Sequence, residues 1–177
     1  YPFTTSLGGK TLGILGLGRI GEEIANRAKA FKMEVRYHNR NKKDVPWTYD
    51  PDPVTLAKNS DVLVAITPGG PETDKLVNAA VLDALGPQGY LVNVARGSVV
   101  DQPVLLKYLQ DGKIAGAGLD VYYDEPNVDP AFFALDNVVL LPHMASATNE
   151  TRTAMGLLQI ENIQLKLDGK AVKTPVV

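Results

Sequence analysis

An α/β fold with a doubly wound parallel sheet is predicted by three features of this 177-residue sequence. Strand and helix signals alternate along the chain. The strand signals are short continuous apolar runs, as in strands buried on both faces by crossover helices. The first of these runs leads straight into Gly16-Leu17-Gly18-Arg19-Ile20-Gly21, a glycine turn between strand and helix that marks a dinucleotide-binding unit of Rossmann type.

The first strand, Thr11–Leu15, reads Thr-Leu-Gly-Ile-Leu. A GxGxxG string alone is weak evidence in a chain with 16 glycines; its place between a strand and a helical pattern gives it weight. Ile20, Ile24, Ala28 and Phe31 recur at helical spacing over 20–31, and Glu22 and Glu23 put negative charge in the first turn, where the helix dipole favours it. Gly16 permits the tight turn, Gly18 lets the backbone approach a pyrophosphate, and Gly21 lets helix pack on strand. Arg19 and Ile20 begin the helix, whose unpaired N–H groups attract the phosphates.

Further strands are expected at Glu34–His38, 62–66, Tyr90–Asn93, Gly116–Leu119 and 138–141, with helices near 53–58, 78–85 and 103–110. Six strands in this rhythm place ligands in the crevice at their carboxyl ends. The last helix, about 149–167, carries Met155, Leu158, Ile160, Ile163 and Leu167, and Asp168-Gly169-Lys170 stops it. The polar, proline-bearing stretch 41–53 is the least regular part.

Composition bounds the function. Hydrophobic content of 45% and charged content of 21% are ordinary for a globular protein, and the length suits a single dinucleotide-binding domain over 1–177. The net charge of −2 gives no general case for nucleic-acid or membrane binding. Without cysteine there is no disulfide framework, thiol nucleophile or Cys-ligated metal, and no metal site is expected. A cytoplasmic location fits this, and no run approaches transmembrane length.

The second strand ends Tyr37-His38-Asn39-Arg40-Asn41-Lys42-Lys43. In NAD-selective versions of the fold an acidic residue near this point takes the ribose 2′-hydroxyl, whereas an arginine accommodates a 2′-phosphate. Asn39 stands about where the acid would be and omits its repulsion, and Arg40 can grip a phosphate through charge-assisted hydrogen bonds. NADP(H) is therefore the preferred cofactor, with NAD(H) also accepted. The other reading is a solvated basic loop in a protein that tolerates NAD.

Three later segments carry polar residues at strand ends: 93–101 with Ala95-Arg96-Gly97, 116–126 with Leu119-Asp120-Val121 and Asp124-Glu125-Pro126, and 141–148 with Pro142-His143. With the glycine motif, these closely resemble the D-isomer-specific 2-hydroxyacid dehydrogenases, and best the glyoxylate/hydroxypyruvate reductase branch. The resemblance covers nearly the whole chain. It implies that Arg96 holds the substrate carboxylate and carbonyl oxygen, that His143 is the acid/base, and that Glu125 pairs with the histidine. It also implies that Asp120 contacts the nicotinamide carboxamide and that Thr67, Pro68 and Thr73 line the adenosine side. Val94, Ala95, Arg96, His143 and Ala145 complete the cofactor contacts; Ala145 replaces a glycine found in many relatives.

Chemistry supports these roles independently. Reduction of a 2-keto acid needs a cation that fixes a planar carboxylate and a proton donor for the developing alkoxide. A histidine does the latter near neutrality, and a nearby carboxylate favours its charged form. Each residue also has a plainer reading: Arg96 as a strand-end cap, Glu125 as turn chemistry, His143 as a satisfied core histidine.

Two rival functions carry similar motifs. Formate dehydrogenase of the same superfamily has glutamine where Glu125 stands, and a dinucleotide-sensing module akin to certain transcriptional corepressors keeps similar reactive residues. The resemblance further implies a second, substrate-binding domain formed mainly by the region before Tyr1. These residues are thus expected to be the cofactor domain alone, inactive by itself and forming a homodimer.

Overall fold

The computed structural model describes residues 5–175. Contacts divide the chain into two compact units, one ending at His143 and the other beginning at Met144.

The first unit holds the sheet. Its strands are β1 (Thr11–Leu15), β2 (Glu34–His38), β3 (Thr48–Tyr49), β4 (Val62–Ala65), β5 (Tyr90–Asn93), β6 (Gly116–Leu119) and β7 (Val138–Leu140). They are all parallel, in the order β3-β2-β1-β4-β5-β6-β7. The order reverses between β1 and β4, and this switch point is where such sheets open a ligand crevice. Register brings the strand ends together there, because Leu15 pairs with His38 on one side and with Ala65 on the other.

Helices α1 (Arg19–Ala30), α2 (Pro53–Lys58), α3 (Ala79–Leu85) and α4 (Gln102–Gln110) accompany the sheet. Side chains alternate between its faces, as the strand period of two requires. Leu12 and Ile14 of β1 join Ala25 and Ala28 of α1, Val35, Tyr37 and Val64 in one core. Leu15, Leu63, Ala65 and Leu91 face the other, with Leu56, Val81, Leu82 and Leu105. Each fully buried leucine contributes about 1.5–3 kcal/mol. Asp52 caps α2 by accepting the Thr55 N–H (2.8 Å), and Asn78 caps α3 by accepting that of Ala80 (3.0 Å).

The strands expected over 62–66 and 138–141 each end one residue sooner. A larger difference is β3, which lies inside the stretch read as irregular. It is held by Asp50, 2% exposed, whose carboxylate accepts from Arg36 Nε and Nη2 (both 2.8 Å) and from Asn59 Nδ2 (3.1 Å). The Asp50 N–H donates to the Tyr37 carbonyl (2.8 Å). No apolar pattern announces such an anchor.

The second unit contains α5 (Asn149–Leu167), where the last helix was expected. Thr148 caps it, its Oγ1 accepting the Thr151 N–H (3.2 Å), and Gly169 follows its end in the left-handed region (φ 71°). Leu157, Ile160, Ile163 and Leu167 are exposed along it.

Candidate active site

The glycine turn is built from backbone constraints. Gly16 has φ +104°, and a Cβ there would lie 2.8 Å from the Thr67 nitrogen; a Cβ on Gly21 would lie 2.7 Å from the Gly16 carbonyl oxygen. A Cβ on Gly18 would meet nothing within 4 Å. The outer glycines are thus required by close packing, and the middle one leaves bare backbone toward open space.

Two side chains latch this turn. Asn39 Oδ1 accepts the Leu17 N–H (2.6 Å) while its Nδ2 donates to the Leu17 carbonyl (3.1 Å). Lys43 Nζ donates to the same carbonyl (3.1 Å) and to Glu22 Oε1 on α1 (2.5 Å). The sequence reading of Asn39, as an acid left out, missed this second task.

A groove of about 860 Å³ opens above the turn. Gly16, Gly18, Arg19, Ile20 and Gly21 form one wall, with Asn39 beside them; Thr67 and Pro68 follow from the end of β4, and Val94, Ala95 and Arg96 from the end of β5. Leu17, Ile66 and Gly69 also line it, beyond the residues expected. The first-turn N–H groups of α1, which a helix leaves without internal acceptors, belong to this wall.

An adjoining cleft of about 420 Å³ is bounded by Asn39 and Arg40 on one bank and by Thr67, Pro68 and Thr73 on the other, with His38 and Glu72 added. The Thr73 hydroxyl donates to the Pro68 carbonyl (2.7 Å) and shapes that loop. The Arg40 guanidinium is paired with the Glu72 carboxylate.

The reactive end lies beyond β5, β6 and β7. Asn93, 1% exposed, accepts the Ala95 N–H at Oδ1 (3.1 Å) and donates from Nδ2 to the Arg96 carbonyl (3.0 Å), fixing the turn that carries Arg96. Arg96 Nη1 donates to the Ala95 carbonyl (2.6 Å). Gly97 is obligatory behind it, since a Cβ would fall 1.9 Å from the Tyr122 carbonyl oxygen.

Glu125 is held from two sides, Oε1 accepting the Tyr122 N–H (2.9 Å) and Oε2 lying 2.7 Å from His143 Nδ1. A carboxylate can only accept here, so Nδ1 carries the proton and Nε2 is left for other chemistry. Burial by itself would push the Glu125 carboxyl up. The hydrogen bonds from His143 and Tyr122, with the charges of His143 and Arg96, outweigh it and hold the group below the usual carboxylate range. The Tyr122 hydroxyl lies 2.9 Å from the Leu141 carbonyl and 3.1 Å from that of Leu119, tying the end of β6 to the segment before His143. His143 itself has φ 52°, a left-handed conformation uncommon outside glycine.

Of the remaining expected residues, Asp120 is buried at the end of β6, where its N–H donates to the Asn93 carbonyl (3.1 Å). Among the described residues neither Asp120 nor His143 lines the two clefts. Ala145 belongs to the second unit.

A parallel sheet with a latched glycine turn at its switch point defines a dinucleotide-binding domain of Rossmann type. Residues 2–145 match the NAD binding domain of the D-isomer specific 2-hydroxyacid dehydrogenases, and the chain belongs to that family. It is 48% identical to a hydroxyphenylpyruvate reductase of Plectranthus scutellarioides and 47% identical to a glyoxylate/hydroxypyruvate reductase of Arabidopsis thaliana. Both alignments cover 100% of this chain and 57% of the relative. A crystal structure of an NADPH-dependent glyoxylate/hydroxypyruvate reductase from Sinorhizobium meliloti, in complex with NADP and malonate, superposes with a TM-score of 0.97 at 47% identity, covering 100% of this chain and 56% of that one. The chain thus spans a little over half the length of these relatives.

Proposed function

We propose that this chain is the cofactor-binding part of an NADPH-preferring reductase of small 2-keto acids, of the glyoxylate/hydroxypyruvate type. The observation that carries the reading is the His143–Glu125 contact of 2.7 Å, formed where the charge of Arg96 also reaches Glu125.

The residues present fit a dinucleotide. The bare backbone at Gly18 and the N–H groups opening α1 would hold its pyrophosphate, and Arg40 a ribose 2′-phosphate. When bound, the nicotinamide supplies the hydride that reduces the substrate's carbonyl carbon. Arg96 would bind the substrate carboxylate and draw negative charge onto the carbonyl oxygen. His143 would give that oxygen a proton from Nε2, while Glu125 holds the ring by Nδ1. Asn93 and Gly97 keep Arg96 in place.

The glutamate at 125 favours keto-acid reduction over formate oxidation, which needs no proton donor. The test, made on the whole reductase of which this chain is the cofactor-binding part, is a panel of glyoxylate, hydroxypyruvate, pyruvate and formate, each with NADPH or NADH (the oxidised forms for formate), read from the absorbance of the reduced nicotinamide. Glyoxylate and hydroxypyruvate should be reduced fastest with NADPH. Turnover of formate alone, or of no substrate, would overturn the reading.

A further inference from the structure

We propose that Glu72 determines how strongly the protein favours NADPH over NADH, acting as a resident counter-ion of Arg40 that a 2′-phosphate must displace. The inference rests on the assignment of Arg40 to the 2′-phosphate made above. Arg40 follows β2 and Glu72 lies in the loop after β4, so their ion pair joins the two banks of the 420 Å³ cleft.

The two side chains are 76% and 71% exposed. An ion pair so well solvated is weak and readily exchanged. A phosphate offers a guanidinium two parallel charge-assisted hydrogen bonds and carries more charge than a carboxylate, so it wins the exchange. Release of Arg40 does not remove Glu72, whose carboxylate stays at the rim of the same cleft and repels the incoming phosphate. A cofactor with a 2′-hydroxyl meets neither penalty, because it does not need Arg40 and brings no charge to that position. Glu72 therefore weakens the phosphorylated cofactor selectively. It narrows a preference that Arg40 creates.

The experiment is calorimetric titration of NADPH, NADH and adenosine 2′,5′-bisphosphate into the wild-type protein, Glu72→Gln, Arg40→Ala and the double variant. Glu72→Gln should tighten NADPH and the bisphosphate about two- to five-fold, the range of an exposed ion pair, and leave NADH unchanged. In the Arg40→Ala background most of that gain should vanish, since the two residues act on one phosphate. Unchanged or weaker NADPH binding in Glu72→Gln overturns the inference, as does an equal change for both cofactors. If the wild-type protein shows no NADPH preference and Arg40→Ala alters neither cofactor, the assignment of Arg40 fails, and that outcome is distinct from the others.

Discussion

At the residue scale, the pair most open to test is His143–Glu125. The Glu125 carboxyl is held below the usual range, so it is ionised at any pH above that range and is protonated only as pH falls through the depressed value. Glu125 should thus contribute no acid limb near neutrality. Glu125→Gln keeps a hydrogen-bonding group but removes the carboxylate that fixes the His143 ring by Nδ1, so the reduction rate should fall with little change in KM. His143→Ala should cost about 10²- to 10⁴-fold at every pH. An unchanged reduction rate in Glu125→Gln would leave the glutamate as turn structure. Asn39 offers a second test. Asn39→Asp keeps an acceptor for the Leu17 N–H but puts a carboxylate oxygen against the Leu17 carbonyl in place of a donor. NADH should weaken about five-fold, the equivalent of one hydrogen bond, and NADPH further. A gain in NADH affinity would show that the latch is dispensable. Sequence placed Asn39 correctly at the end of the second strand. It could not reveal that the amide reaches back 22 residues to hold the glycine turn.

At the element scale, the alternation of strands and helices was legible because each apolar run and each cap is a local pattern. Ile20, Ile24 and Ala28 at helical spacing, and Asp168-Gly169-Lys170 after the last helix, are such signals. β3 was not legible, since two residues make no period. Beside it stands Asp50, buried and joined to Arg36 through two parallel hydrogen bonds. Asp50→Ala would strip a part-buried guanidinium of its partner and loosen the edge beside Asn39. It should lower stability by about 3 kcal/mol in denaturant titrations, with m unchanged. A loss under about 0.5 kcal/mol, the scale of an ordinary surface change, would mean that the edge is held by backbone pairing instead.

At the scale of the whole molecule, the order β3-β2-β1-β4-β5-β6-β7 places the glycine turn and the reactive segments along one edge of the sheet. We propose that the protein is a homodimer, as the family resemblance implies, and the exposed apolar residues of α5 offer a surface for its interface. Light scattering at micromolar concentration should give twice the mass of one chain, and charged substitutions at Ile160 and Leu167 should return it to monomer. A wild-type monomer would remove the proposal. Among the described residues no helix is long and apolar enough to cross a membrane.

The sequence by itself determined the parallel α/β class, the glycine turn, and the order of the segments bearing Arg96, Glu125 and His143. These depend on hydrophobic period and on backbone demands that a few neighbouring residues express. Only the tertiary structure decided the pairings. Asn39 meets Leu17, Arg36 meets Asp50, and Arg40 meets Glu72 across 32 residues, whereas the His143–Glu125 pair was already implied by the family resemblance. The physical reason is that strand order and register choose which strand ends become neighbours, and a polar side chain takes its partner from whatever stands there.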